Sequence, residues 1–245
     1  MRYTVQSGAR IPHPVVPHDP FFAKVGYLLH FDDIDTPDVF PDVLGNIWAR
    51  GGIFAVNSYV SSDNQKFGLG SLRIREQITD APSCNILASV TPYVMSPTNT
   101  LTVEGWVYWS GDIDAQIRVG AIDTTISPVE IELYVLANIG VLRFDATFNS
   151  LNTPLTTPMP SLQWCHVAGT YDGTTKRLFL NGSLVASAVI GAGTPKMITG
   201  YRIGYKTGAP PQIVPSFVDE CRFTFDVCRY TANFTPPTAP FPNTL

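Results

Sequence analysis

Charge is scarce in this sequence. Asp, Glu, Lys and Arg make up 15% of its 245 residues, with 16 basic against 20 acidic side chains and a formal net charge of −4. The Lys and Arg residues never gather into a run. That removes the electrostatic footprint needed to hold a phosphate backbone, so nucleic acid is not an expected partner. No apolar stretch approaches the length that spans a bilayer, and membrane insertion is not expected either. The opening residues, Met1-Arg2-Tyr3-Thr4-Val5-Gln6-Ser7-Gly8, lack the apolar segment of a secretory signal. The four cysteines, Cys84, Cys165, Cys221 and Cys228, form no CxxC pair and no disulfide-framework spacing. They read as reduced thiols acting as small hydrophobes, in keeping with folding in a reducing cytoplasm. Amphipathic helical periodicity is missing too.

What is present is proline, β-forming residues and turn signals. Pro12, Pro14, Pro17 and Pro20 fall close together, with His13 and His18 among them. Because proline fixes φ and removes a donor, residues 1–26 are expected to form an extended arm, held by its own domain or by a neighbour. Residues 27–245 then form one large all-β domain. Strands are expected at Leu28–Asp33, Phe67–Ile74, Leu101–Trp109, Val129–Ala137 and Gly140–Phe148. Asn181-Gly182, between the apolar runs of Leu178–Leu180 and Leu184–Val185, predicts a two-residue hairpin turn with positive φ at both positions. Alternation places Phe217, Cys221, Phe223 and Phe225 on one strand face, with Glu220, Arg222 and Thr224 on the other. The chain closes in a Pro-rich, extended tail, Phe234–Pro242. About a dozen short strands without helices predict a two-sheet antiparallel sandwich.

Several blocks resemble the laminin G-like, concanavalin A-like jelly-roll family. Leu28–Asp33 is similar to its opening strand, Phe67-Gly-Leu-Gly-Ser-Leu to its second signature and Leu101-Thr-Val-Glu-Gly-Trp-Val to its third. Trp164-Cys-His-Val-Ala-Gly-Thr-Tyr-Asp-Gly followed by Leu178-Phe-Leu-Asn-Gly resembles its central block, and Phe217-Val-Asp-Glu-Cys-Arg-Phe-Thr its penultimate strand. The ending, Cys228 to Pro242, resembles jelly-roll modules of tailed-phage virion proteins. That resemblance implies a virion protein assembled in the host cytoplasm, although this fold carries lectins, hydrolases and scaffolds alike.

Retaining glycoside hydrolysis needs two carboxylates about 5–5.5 Å apart. The resembling hydrolases present them as Glu-x-Asp-x-x-Glu, and the nearest approach here is Glu130-Ile131-Glu132, with Ile131 and Val135 where the other carboxylates would stand. A pair of solvated glutamates is the expected reading. His166 alternates with Trp164, while Cys165 points to the opposite face, so a His–Cys catalytic pair is not expected. The resemblance also implies a calcium site between Asp32 and Asp219, with carbonyls near Gly68 and Gly70. The competing reading is that Asp219 caps a turn or pairs with an arginine. Trp106 and Tyr108 share a face with Glu104 and Thr102. They stack on sugars if that face is open, and act as core or interface anchors if it is covered.

Together these expectations describe a non-enzymatic phage virion structural protein. It would be a capsid decoration or cement protein docked on partners such as the major capsid protein and present in multiple copies. The alternative is a carbohydrate-binding host-attachment module using Trp106, Tyr108 and Glu104 on a host glycan, and a glycoside hydrolase is the remote third. No cofactor is expected beyond the calcium alternative.

Overall fold

The computed structural model describes residues 18–36, 39–51, 58–74, 85–96, 98–111, 116–124, 131–136, 139–147, 153–193, 197–206 and 215–244. Among them are one 3-10 turn, Phe22–Lys24, and fifteen strands. Among the described residues no helix is long and apolar enough to cross a membrane. The strands are β1 Val25–Leu29, β2 Ala49–Gly51, β3 Ser58–Ser61, β4 Ser71–Ile74 and β5 Asn85–Val94. They continue with β6 Leu101–Tyr108, β7 Gln116–Thr124, β8 Ile131–Leu136, β9 Val141–Ala146 and β10 Leu155–Pro158. The last are β11 Trp164–Tyr171, β12 Thr175–Leu180, β13 Ser183–Val189, β14 Met197–Lys206 and β15 Ser216–Phe225.

Two antiparallel sheets result. Sheet A has the order β13-β12-β11-β6-β15-β4-β3, with β1 added alongside β15; sheet B has the order β10-β9-β8-β7-β14-β5-β2. Period-2 alternation turns one row of each strand inward, as with Ile131, Leu133 and Val135 of β8 or Val103 and Val107 of β6, and these merge into one core. Each such side chain contributes about 1.5–3 kcal/mol by leaving water. The expected all-β sandwich is the observed fold.

The β12–β13 hairpin turns as its Asn-Gly pair requires, with Asn181 at φ 49° and Gly182 at φ 76°. Asn181 also ties the turn to β11, its Oδ1 accepting the His166 N–H at 2.9 Å. At Gly182 a Cβ would stand 2.0 Å from the Phe234 carbonyl oxygen. Glycine is therefore needed there both for its φ and for the close approach of the tail.

One alternation fails. Asp219 pairs with Trp106 but Arg222 pairs with Glu104, so Glu220 and Cys221 together oppose Gly105. This is a β-bulge, with Glu220 at φ 51°, and it reverses the side-chain parity of β15. Cys221 and Phe223 face the core as expected. Phe217, expected to share that face, instead stands with Asp219 on the outer face of sheet A, beside Tyr108 and Trp106.

Pro12, Pro14, Pro17 and His13 lie outside the described residues. From Asp19 onward the N-terminal stretch is fastened to the domain, the Asp19 N–H donating to the Thr244 carbonyl at 2.8 Å. Phe22 packs against the small cluster of Val25, Leu28 and Phe241. The stretch from Asp19 to Lys24 and the tail up to Thr244 therefore lie together on the outer face of sheet A.

Candidate functional site

The outer face of sheet A has two halves. Around Glu104 it is closed by Asp19 and by the tail that follows β15. Glu104 Oε1 accepts Arg222 Nη2 at 2.8 Å and Nε at 3.0 Å, and its Oε2 accepts the Tyr230 hydroxyl at 2.8 Å. Asp19 completes the cluster, taking Arg222 Nη1 at 3.0 Å and a two-pronged contact from Arg229 at 2.7 and 2.9 Å. His166 Nε2 stands 3.4 Å from Glu104 Oε2. Burial works against a charge on Glu104, yet Arg222, His166 and Arg229 outweigh it and hold the carboxyl far below its ordinary value. Aromatic rings seal the cluster. Tyr230 stacks on Phe234 at 3.6 Å, Phe234 meets His166 and Phe179 edge-on, and Phe241 lies over the Arg222 guanidinium at 3.8 Å.

Trp106 belongs to this closed half. It is 6% exposed, with Phe67 edge-on at 5.7 Å and Lys66 Nζ 4.0 Å above its ring. Trp106 and Glu104 are thus buried, under Lys66 and Phe67 and under the tail respectively.

Tyr108 lies in the other half. Across five neighbouring strands the register aligns Trp164 with Tyr108, Tyr108 with Phe217, Phe217 with Arg73, and Arg73 with Tyr59. At about 4.8 Å per strand this outer-face row is roughly 19 Å long. Trp164, Tyr108, Arg73 and Tyr59 are half-buried, and Phe217 is buried between them. Tyr108 meets Trp164 at 5.8 Å and Phe217 at 6.1 Å, both edge-on. Polar groups border the rings. Trp164 Nε1 donates to Asn64 Oδ1 at 3.0 Å, Arg73 Nη1 donates to the Tyr59 hydroxyl at 2.7 Å, and Arg73 Nε lies 3.2 Å from Asp63. The loop supplying Asp63, Asn64, Lys66 and Phe67 thus walls one side of the row. Of its members, sequence reasoning singled out Tyr108 alone.

That loop also answers the calcium expectation. Asp219 Oδ2 accepts the N–H groups of Lys66 and Phe67, and its Oδ1 accepts that of Glu220. Asp32 Oδ1 accepts the Leu69 N–H at 2.6 Å. A Cβ on Gly68, at φ 60°, would stand 1.9 Å from that oxygen. The two carboxylates meet the same loop as acceptors for its amide N–H groups, which is the turn-capping role of the competing reading for Asp219. Among the described residues no three His, Cys, Asp or Glu gather to hold a metal.

Glu220 joins the tail to β1: its Oε1 lies 2.7 Å from His30 Nδ1 and its Oε2 accepts the Phe241 N–H at 2.8 Å. Burial opposes a charge on His30, but Glu220 and Asn243 raise it above its ordinary 6.5. Burial also pushes Asp219 up to about 8, against the pull of its amide donors. Both groups bind a proton more tightly when folded. Their stabilisation is complete below the unfolded pKa and is lost as pH rises through the folded one. For Asp219 that window runs from 3.8 to about 8, and for His30 it lies above 6.5. Tm is therefore expected to decline from about pH 5 to about pH 8. His30→Gln should remove part of the slope above neutrality. A flat Tm across this range in thermal scans would rule the assignment out.

Glu130 lies outside the described residues. Glu132 is paired with Arg118, Nη2 to Oε1 at 2.5 Å, and both are nearly buried. Cys165 faces the core while His166 faces Glu104, so the two do not meet as nucleophile and base. Cys165, Cys221 and Cys228 are free thiols, and burial raises all three; Cys84 lies outside the described residues.

Known structures share this architecture. The receptor-binding domain of botulinum neurotoxin D matches with a TM-score of 0.59 at 12% identity, over 88% of this chain and 51% of that one. A serotype D ligand-binding domain in complex with N-acetylneuraminic acid matches at 0.58 and 12%, over 88% and 49%. The binding domain of Paraclostridial Mosquitocidal Protein 1 matches at 0.58 and 11%, over 88% and 50%. The chain thus spans about half the length of these structures, and at such identity they speak for the fold alone. No curated protein matches. A laminin G-like family model, described as the concanavalin A-like lectin/glucanases superfamily, matches residues 86–223. With more than half of the sequence under that match and two antiparallel sheets around one core, the chain belongs to the concanavalin A-like lectin/glucanases superfamily.

Proposed function

We propose that this chain is a non-enzymatic binding module and that the row Trp164–Tyr108–Phe217–Arg73–Tyr59 takes carbohydrate. The row itself carries the proposal. Sugar rings present apolar C–H faces that pack on aromatic rings, and hydroxyls that bond to planar amide, carboxylate and guanidinium groups. Half-buried rings bordered by Asn64, Asp63 and Arg73 supply both. The likeness to a binding domain solved with N-acetylneuraminic acid supports a glycan as the ligand class. The hydrolase alternative has less behind it, because Glu132 is engaged by Arg118. So does capsid decoration: the closing segment that suggested a virion protein packs its aromatic residues onto its own domain.

A row roughly 19 Å long suits an extended oligosaccharide better than one sugar unit, so affinity should climb with chain length and then level off. Glycan-array screening followed by calorimetry tests this. Trp164→Ala or Tyr108→Ala is expected to weaken binding by about 2 kcal/mol, roughly thirtyfold in Kd, with the near-UV circular dichroism of the core kept. Binding that survives both substitutions would place the ligand elsewhere. No binding to any glycan would overturn the proposal.

A further inference from the structure

A cavity of about 400 Å³ opens where the chain leaves β1, with His30 to Asp33 along one wall and Pro41 to Val43 along the other. That is the size of a small ligand site. Its described lining holds three carboxylates, those of Asp32, Asp33 and Asp42, and neither lysine nor arginine. His30 does not offset them, because its Nδ1 lies 2.7 Å from Glu220 Oε1 and a charge there is balanced by that carboxylate. The three are held by neutral donors. Asp42 takes the Leu44 N–H and Asn46 Nδ2, both at 2.8 Å, and Trp48 Nε1 at 2.9 Å. Asp33 Oδ1 takes the Thr36 N–H at 3.1 Å, and Asp32 Oδ1 takes that of Leu69. Among the described residues nothing donates to the second oxygen of Asp32 or Asp33, and no cation pairs with any of the three.

The rim of the cavity is apolar. Ile34 lies against Gly70, next in the chain to Leu69, and the Leu69 N–H reaches Asp32. On the other wall Val43 and Leu44 follow Asp42. All four side chains are exposed, Leu69 most of all at 62%. Single apolar residues on a surface are ordinary, but a group of them around a hollow marks an interaction site. The loop that bears Leu69 separates this place from the aromatic row. Its Asn64 meets Trp164 on one side, and its Leu69 meets Asp32 on the other.

These two properties together select the ligand. Carboxylates left without a counter-charge in a hollow concentrate their field on a cation. A guanidinium brings planar N–H pairs that match carboxylate oxygens, on a stem that is itself apolar. A small free amine or guanidine would use the carboxylates and leave the rim in water, whereas a peptide uses both. We infer that the cavity is a docking site for a partner's peptide segment in which one arginine stands between apolar residues. The arginine enters the cavity and bonds to the open oxygens of Asp32 and Asp33, with Asp42 adding its charge. The residues before and after it cover Ile34 and Leu69 on one wall and Val43 and Leu44 on the other. The docking does not depend on the carbohydrate reading.

Fluorescence polarisation of the full chain is the test, with a labelled, end-capped hexapeptide carrying one arginine among valines and leucines. Saturable binding that weakens as salt is raised is expected. Replacing the arginine by citrulline, which keeps the shape and removes the charge, should weaken binding roughly tenfold or more. Asp32→Asn and Asp33→Asn each keep the oxygen that accepts the loop N–H, so Tm should hold. Each should bind the arginine peptide about tenfold more weakly, about 1.4 kcal/mol. Leu69→Ser should weaken the peptide but not agmatine, a guanidinium without flanking residues, and Trp164→Ala should leave both unchanged. An absence of saturable binding overturns the inference, and so does equal affinity for the citrulline peptide or full affinity in the Asp32→Asn/Asp33→Asn double variant. Agmatine bound as tightly as the peptide would make the cavity a small-molecule site, and the docking surface would fall.

Discussion

Replacing Glu104 by alanine is expected to destabilise the fold by about 3–5 kcal/mol and to lower Tm by roughly 6–20 °C. Removing one partner of a buried ion cluster leaves the opposite charge desolvated without compensation. Glu104 is 0% exposed and Arg222 is 4% exposed, so water cannot take over the lost contacts. Without Glu104, Arg222 Nε and Nη2 and the Tyr230 hydroxyl lose their acceptor, and Asp19 alone faces two guanidinium groups. Glu104→Gln, which keeps shape and one acceptor oxygen, should cost less. Because Glu104 and Asp19 share Arg222, the double variant Glu104→Ala/Asp19→Ala should depart from additivity. Thermal and urea unfolding of Glu104→Ala, Glu104→Gln, Asp19→Ala and the double variant measure this. A loss below about 1 kcal/mol for Glu104→Ala, the range of exposed ion pairs, would mean that the cluster does not fasten Asp19 and the tail.

The same cluster sets the acid limit. The carboxyls of Asp19 and Glu104 are held below their ordinary values. Their stabilisation is present above the ordinary carboxylate range and is lost as pH falls through the folded values. Asp219 and His30 work in the opposite sense toward alkaline pH, so stability is expected to peak in mildly acidic solution.

The strands, the Asn181-Gly182 turn and the sandwich were legible in the sequence because period-2 alternation and turn chemistry are local signals. The β15 bulge was not. Nothing in Phe217-Val-Asp-Glu-Cys-Arg-Phe marks the extra residue, which shows only against the register of β6. A one-residue slip carries Asp219 from the core parity to the outer face. For Trp106 and Tyr108, alternation gave the shared face but could not give exposure. The cover over Trp106 comes from Lys66 and Phe67, and that over its neighbour His166 from Phe234, all far away in sequence. The aromatic row was illegible for a related reason. Tyr59, Arg73, Phe217, Tyr108 and Trp164 come from five strands whose spatial order, β3-β4-β15-β6-β11, is not their chain order.

Deleting residues 227–245 is expected to have a larger effect than any single substitution, because this irregular tail completes the outer layer of sheet A. Burying one aromatic side chain is worth about 1.5–3 kcal/mol, and the tail brings Tyr230, Phe234 and Phe241 onto Phe179, His166 and Arg222. It also supplies Arg229 to Asp19 and the Phe241 N–H to Glu220. Their combined loss is comparable with the whole stability of a domain, about 5–15 kcal/mol, so the truncated chain should be unfolded or insoluble. A graded series separates the contributions. Deletion from residue 242 removes the Asn243 contact to His30 and the Thr244 contact to Asp19, about 1 kcal/mol for each hydrogen bond. Deletion from 235 also takes Phe241 away and should weaken the domain further while leaving Tyr230 stacked on Phe234. Only deletion from 227 uncovers Glu104. Soluble yield and Tm should fall in that order. A chain ending at Asp226 that melts like the full-length protein would show that the sandwich stands without its tail, and that the aromatic cover over Glu104 adds nothing to its stability.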